Sequence, residues 1–203
     1  KDLLKYFMTQ GSPWDSFDAH APFVSGVGEY PKYGTFYPLS FSKKEYEVWL
    51  ANHPEDRPMF ESPYTVIRRG HSSLSALPYS VAHEESLRPI SFNLSKAARE
   101  LEQGTLKTFL ESRACAFLDK NDWHNNSGAF WDSELNWIDT DGTPFEVTIG
   151  PYEVYFDELL GLKSAFSAFI AIPDKDATAA LKRFTPSVPD FDGILSKEFN
   201  FKP

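Results

Sequence analysis

The stretch from Phe145 to Ile172 constrains the fold of this chain more than any other part of the sequence. It begins with apolar and polar residues in alternation, which is the period of a strand with one buried face. An Ile-Gly-Pro-Tyr-Glu turn at residues 149–153 comes next, and a second apolar run follows it. The apolar positions of the two predicted strands are Phe145, Val147 and Ile149, then Phe166, Ala168, Ile170 and Ile172. We therefore predict a small antiparallel sheet here.

Two helices are predicted ahead of this sheet. Apolar residues recur at the helical period from Ser80 to Gly104 and again from Thr105 to Asp119. Gly104 suits a helix end, and the short connection predicts an antiparallel helix pair. The predicted buried stripes are Leu87, Ile90, Leu94, Ala97 and Leu101 on the first helix and Leu106, Phe109, Leu110, Ala114, Phe117 and Leu118 on the second.

The N-terminal part of the chain predicts shorter elements. A short helix is expected from Asp2 to Met8, followed by irregular structure that is rich in Gly, Pro and aromatic residues. Ser42 and Glu45 have the spacing of a capping box, which predicts a helix start. Residues 64–68 and 74–79 are β-prone on either side of a turn, which predicts a hairpin.

Together these patterns predict an α+β fold in which helices pack with a small antiparallel sheet. We expect residues 1–184 to form a single α+β domain. Residues 185–203 contain three Pro and no apolar period, so we expect an extended tail leading to sequence absent from this chain. Because the chain begins with Lys1 rather than Met, we expect it to be a fragment.

Composition excludes some classes of partner. The formal net charge is −9, whereas a nucleic-acid-binding protein needs a basic surface. No apolar run is long enough for a membrane span. The lone cysteine, Cys115, lies in an apolar helical pattern, so we expect a small buried side chain rather than a nucleophile. We expect a soluble protein, and the sequence leaves both a cytoplasmic and an exported location open.

The histidines do not have the spacing of a zinc site. A zinc-binding helix needs two histidines one turn apart on one face. His83-Glu84 begins like such a motif, but Leu87 and Arg88 stand where the second histidine should be. His124 lies near acidic residues without ligand spacing. We therefore predict no metal site and no cofactor in this chain.

Carboxylates cluster around the predicted turn, at Glu146, Glu153, Asp157 and Glu158. The simplest interpretation is a charged sheet face with salt bridges. A second is an anionic subsite for the free amine of a peptide, because an ammonium group is bound by carboxylates. A third is a paired general acid and base. The sequence alone leaves all three open.

Several segments carry a resemblance to a known family. They are residues 34–38 (GTFYP), 45–50 (EYEVWL), 62–69 (SPYTVIRR), 77–80 (LPYS), 108–117 (TFLESRACAF), 149–153 (IGPYE) and 157–163 (DELLGLK). These resemble the dipeptidyl peptidase III family of zinc exopeptidases and its bacterial relatives.

This resemblance implies a role in a two-lobed peptidase. The chain would be the α+β lobe that forms one wall of the substrate cleft, with a peptide substrate and the remaining zinc-binding lobe as its partners. The resemblance assigns the peptide's amino terminus to Glu146, expects a tyrosine two residues later where this chain has Thr148, and marks Glu153 as a further acidic position. Zinc is expected in the intact protein only, so this chain alone should not be catalytic. The alternative is a non-catalytic peptide-binding or scaffold module.

Overall fold

The computed structural model describes residues 1–120, 123, 128–140 and 142–199. Within these residues there are three antiparallel two-stranded sheets surrounded by helices. The helices are α1 (Asp2–Gln10), α2 (Lys43–Asn52), α3 (Arg57–Glu61), α4 (Tyr79–Ala82), α5 (Glu84–Arg99), α6 (Thr105–Ala116), α7 (Ala129–Ile138), α8 (Lys175–Phe184) and α9 (Val188–Glu198). The strands are β1 (Trp14–Asp15), β2 (Ala21–Pro22), β3 (Thr65–Arg69), β4 (Leu74–Pro78), β5 (Glu146–Glu153) and β6 (Ala165–Ala171). No helix of the described ranges is long and apolar enough to cross a lipid bilayer. The predicted α+β fold is confirmed.

The hairpin β3–β4 forms one side of the core. Val66 and Ile67 of β3 are completely buried, and Tyr79, directly after β4, is almost so. The hairpin was predicted from its β-prone residues, and its antiparallel pairing confirms that prediction. The helix start at Ser42 is confirmed, because the Ser42 hydroxyl accepts a hydrogen bond of 3.1 Å from the Glu45 backbone N–H. The reciprocal bond of a capping box is not formed, since the Glu45 carboxylate binds the Arg69 guanidinium instead.

The helices α5, α6 and α7 pack in sequence beside the hairpin. Leu110 and Phe117 of the α6 region are buried, as the helical period predicts. On α5 the buried line runs through Ser91 and Ala98 rather than Ile90 and Ala97. These small residues allow a close approach, and the Ser91 hydroxyl donates a 2.6 Å hydrogen bond to the Ala114 carbonyl of α6.

Strands β5 and β6 pair antiparallel over their whole length, with an irregularity between Pro151 and Glu153. This confirms the strand pair predicted from the alternating apolar residues. Val147 and Ile149 pack on the core, which leaves Glu146 and Thr148 on the opposite face. Gly150 is required at its position because the Tyr152 ring lies 2.8 Å from where a Cβ would stand.

Three predictions about burial are wrong. Phe145 lies outside β5 and is 44% exposed, because the strand begins one residue later than its apolar pattern. Leu118 follows the end of α6 and faces away from the core. Cys115 is exposed because the buried face of α6 is taken by its neighbours Ala114 and Ala116.

The predicted extended tail is also wrong, since residues 188–198 form helix α9. Pro186 and Pro189 lie in the first turns of helical segments and do not make the tail irregular. A proline is tolerated there because its missing N–H would have no intrahelical partner. Phe191, Ile194 and Leu195 then follow the helical period along α9. That residues 1–184 form a single domain stays a prediction.

A buried lysine ties the β5–β6 connection to the core. Lys163 is completely buried, and its ammonium group donates hydrogen bonds to the carbonyls of Phe60 and Ser62, at 2.7 Å each, and to the Thr65 hydroxyl at 2.8 Å. The acceptors lie at the junction of α3 and β3, about a hundred residues earlier in the chain. The connection is therefore held against the hairpin side of the core.

The helix pair gives a direct stability test. Leu110→Ala should lower the free energy of unfolding by about 2–5 kcal/mol, because a buried leucine side chain is replaced by a cavity. Leu39→Ala is the matched control, since Leu39 is 82% exposed and should change stability by less than about 0.5 kcal/mol. Denaturant unfolding followed by circular dichroism measures both. Equal effects of the two substitutions would contradict the packing of α6.

Candidate functional site

Strand β5 carries the three residues that the sequence singles out. Glu146 is its first residue and is exposed, Thr148 is half-buried opposite Phe169, and Glu153 is its last residue and is half-buried. Neither glutamate makes an ion pair within the described part of the chain. The expectation of a salt-bridged sheet face therefore does not apply to these two carboxylates.

The two glutamates lie at opposite ends of the strand. A strand rises roughly 3.3 Å per residue, so the seven steps from Glu146 to Glu153 span about 20 Å. A single ammonium group accepts carboxylate contacts at roughly 3 Å. The two side chains cannot hold the same amino group, and they are also too far apart to act as one acid–base pair.

Glu146 borders an open groove about 890 Å³ in volume. The groove lies between the end of α7, the loop before β5 and helix α8. Its apolar lining includes Trp137, Ile138, Pro144, Ile172 and Pro173. Lys175 and Lys182 line it as well.

Glu153 has a different neighbour, the hydroxyl group of Tyr155. Partial desolvation and then the hydrogen bond with the Glu153 carboxylate raise the pKa of Tyr155. Tyr155 is 70% exposed, so the pair presents a carboxylate and a phenol to solvent. An ammonium group has several N–H donors and could engage both oxygens.

Sequence reasoning passed over Tyr155, although a signal for it was present. The resemblance expects a glutamate followed two residues later by a tyrosine. That spacing fails at Glu146, where Thr148 follows, and is met at Glu153 and Tyr155. Testing the same spacing at both acidic positions would have found the pair.

A second acidic residue anchors the segment that follows Glu153. The buried carboxylate of Asp157 accepts a 2.6 Å hydrogen bond from the Tyr37 hydroxyl and four more from backbone N–H groups. The donors of the backbone bonds are Leu159, Leu160, Leu162 and Lys163. Burial alone would raise the pKa of Asp157, but the hydrogen bonds from Tyr37 and the backbone outweigh it and lower the pKa. Asp157 is thus a structural anchor and is not exposed to a ligand.

The described residues do not fit a zinc ion. No group of three or more histidine, cysteine, aspartate or glutamate side chains comes together in the ranges that the structure describes. His83 packs its ring against Tyr79 and Phe166, and His20 stacks on Tyr30. Burial, and then the charge of Arg68, lower the pKa of His83. His124 lies outside the described residues.

Comparison with known proteins gives three consistent matches. A family model described as Peptidase family M49 matches residues 39–195. The solved structure of DPP III from Caldithrix abyssi matches with a TM-score of 0.78 and 40% identity, over 93% of this chain and 34% of that one. Dipeptidyl-peptidase III from Corallococcus sp. strain EGB matches with a TM-score of 0.76 and 35% identity, over the same shares.

A curated protein is similar over nearly the whole chain. Nudix hydrolase 3 of Arabidopsis thaliana is 29% identical over 252 aligned residues, covering 99% of this chain and 32% of that protein. The chain therefore spans about a third of the length of the relatives it matches.

The lowered pKa of Asp157 makes a prediction about acid stability. A carboxyl group whose pKa falls on folding adds stability above its unfolded pKa of about 4, and that stability is lost as the pH falls through the folded pKa. Asp157→Asn should therefore lower the free energy of unfolding at pH 7, and the difference from the wild type should shrink below about pH 4. Urea unfolding at a series of pH values measures it. Asp190→Asn, on the exposed side of α9, is the control and should show no such change.

Proposed function

The chain belongs to peptidase family M49, and we propose that it forms the substrate-cleft lobe of a dipeptidyl peptidase III-like zinc metallopeptidase. Two solved structures of dipeptidyl peptidase III each match 93% of the chain, at 40% and 35% identity, which supports the proposal. Since the chain spans about a third of those structures, the activity of a whole enzyme is part of the proposal.

In this proposal the chain binds and orients the peptide and does not carry out hydrolysis. The described residues offer no zinc site, so we assign no step of bond cleavage to them. Zinc and the group that activates water would come from the remaining lobe. The work of this chain is to hold the peptide so that its scissile bond is presented in a fixed position, which is a large part of enzymatic rate enhancement.

The observation that carries the proposal is the pair of the half-buried Glu153 and the exposed Tyr155 at the end of β5. An exopeptidase must recognise a chain end, and a free amino terminus is recognised by charge-assisted hydrogen bonds. Glu153 supplies the charge, and Tyr155 supplies a second oxygen beside it. The segment that follows is anchored by five hydrogen bonds to Asp157, so the pair stands on a rigid support.

Glu146 and Thr148 remain proposed substrate contacts at the other end of the strand. Glu146 opens onto the groove that Lys175 and Lys182 also line. Because the Tyr155 hydroxyl lies beside Glu153 as a second oxygen, we assign the ammonium group to Glu153 and a more distant part of the peptide to Glu146. One amino group cannot bind Glu146 and Glu153 at the same time, so an experiment can distinguish the two assignments.

The second candidate is a non-catalytic peptide-binding or scaffold module. One observation favours it, namely that 99% of the chain matches a protein named Nudix hydrolase 3. That name describes a hydrolase of another kind, so an M49-like region can form part of a protein that is named for different chemistry. Release of dipeptides by the intact protein, with loss of activity on zinc removal and recovery on zinc addition, would favour the peptidase over the module.

We predict that Glu153→Gln abolishes the preference for a free amino terminus. The intact protein should bind a tetrapeptide with a free amine about 10- to 150-fold more tightly than its N-acetylated form, the range expected for one charge-assisted hydrogen bond. In Glu153→Gln the two peptides should bind equally. Isothermal titration calorimetry measures the affinities, and thermal unfolding should be unchanged because Glu153 makes no ion pair with any described residue.

Glu146→Gln is the matched control, since it removes the same charge from the same strand. It should keep the preference for the free amine. Loss of the preference in Glu146→Gln and its survival in Glu153→Gln would reverse the assignment. A large loss of thermal stability in either variant would make that residue structural.

A further inference from the structure

A second cleft, about 600 Å³ in volume, lies beside α7 and has an unusual lining. Six of its ten lining residues are aromatic, whereas aromatic residues make up 16% of the chain. They are Tyr64, Trp123, Phe130, Trp131, Trp137 and Tyr152. The volume falls within the range of small-molecule sites in proteins, roughly 300–1,000 Å³.

Three of these rings, Tyr64, Trp123 and Phe130, contact one another as one cluster. Trp123 stacks on Phe130 with 4.7 Å between ring centroids, and Tyr64 is tilted against both, at 6.2 and 5.4 Å. Trp131 stands at the rim and is 38% exposed, so the cleft is open to solvent. Aromatic faces carry negative electrostatic potential, and a group of them attracts a cation.

Among the described residues of the lining, Glu134 is the only ionisable acid or base apart from the two tyrosines. Its Oε1 atom accepts hydrogen bonds from the Arg113 guanidinium at 2.5 Å and from the Tyr152 hydroxyl at 2.8 Å. Its Oε2 atom accepts none from any described residue, and the side chain is 23% exposed. Among the described residues, no lysine, arginine or histidine lines the cleft.

The same cluster already holds a cation on its buried side. The guanidinium carbon of Arg113 lies 4.7 Å from the centroid of Phe130, 5.3 Å from that of Phe109 and 5.8 Å from that of Phe117. Arg113 is completely buried, so these rings and Glu134 replace water around a full positive charge. On the open side, the partly exposed Trp131 ring and the partly exposed Glu134 side chain offer the same kinds of group to a ligand.

We propose that this cleft binds an organic ammonium cation, either on a free small molecule or on a methylated lysine side chain. The rings contact the alkyl groups around the nitrogen, and Glu134 Oε2 faces its charge. A neutral apolar ligand would fill the same space but gain nothing from the carboxylate. The inference does not depend on the peptidase assignment, because Glu146, Thr148, Glu153 and Tyr155 do not line this cleft, although Trp137 and Ile138 line both the cleft and the Glu146 groove.

The five tryptophans of the chain provide an internal test by nuclear magnetic resonance. Choline is titrated against ¹⁵N-labelled protein, with 3,3-dimethylbutan-1-ol as the neutral molecule of the same shape. The indole N–H signals of Trp123, Trp131 and Trp137 should shift, and those of Trp14 and Trp49, which lie outside the cleft, should not. Choline should bind about tenfold more tightly than the neutral alcohol. Single Trp→Phe variants assign the five signals.

Two variants separate the contributions of charge and rings. Glu134→Gln should weaken choline binding several-fold while leaving the neutral alcohol unchanged, which a merely structural role would not do. Trp131→Ala should weaken both ligands, and Phe92→Ala, an exposed ring on α5, should weaken neither. Where Glu134→Gln fails to fold, the comparison of choline with the alcohol in the wild type decides the question.

Equal binding of choline and the neutral alcohol would overturn the proposal, as would shifts of all five indole signals or of none. A peptide bearing trimethyl-lysine, titrated in parallel, identifies the source of the cation. Tighter binding than choline assigns it to a protein side chain, and weaker binding assigns it to a free small molecule.

Discussion

The hydrogen bonds of the Lys163 ammonium group fix the β5–β6 connection, and the candidate peptide site depends on that connection. A buried charge is costly unless it is fully hydrogen-bonded, and Lys163 meets this condition with three short bonds. Two of its acceptors are backbone carbonyls, Phe60 and Ser62, which no side-chain substitution can remove. A lysine that is buried in this way permits only one position of the β5–β6 connection relative to the junction of α3 and β3, because any shift would leave the charge without these partners.

The consequence reaches the candidate peptide site through the chain itself. Lys163 also donates its backbone N–H to Asp157, so one residue is shared by the two networks that fix the β5–β6 connection. Tyr37, far back in the sequence, closes the second network through its hydroxyl. Glu153 and Tyr155 stand at the start of this connection. Their positions are set by the core, although both side chains reach solvent.

Local sequence patterns predicted the helices and strands well, and long-range contacts explain the buried polar residues that those patterns did not predict. The hairpin, the helix pair and the β5–β6 pair follow from periods of two or of about 3.6 residues, which neighbouring residues determine. Asp157, in contrast, looked like one more surface carboxylate, because its partner Tyr37 is distant in sequence. The burial of Lys163 could not be predicted either, because its hydrogen-bond acceptors lie far back in the sequence. Proline content was misleading at Pro189, where only the position within the helix decides whether the residue is tolerated.

The outer strand β6 has a consequence for handling the protein. Phe169 and Ile170 are adjacent in sequence and point to opposite faces of the sheet, yet they are 61% and 77% exposed. Charged residues or prolines commonly prevent an exposed strand from pairing with other molecules, and β6 contains neither. Surface of this kind drives precipitation and adhesion to chromatography resins. The solubility of the isolated chain will therefore be limited by β6 rather than by its acidic net charge, and a lysine introduced at position 170 is the simplest change to improve expression.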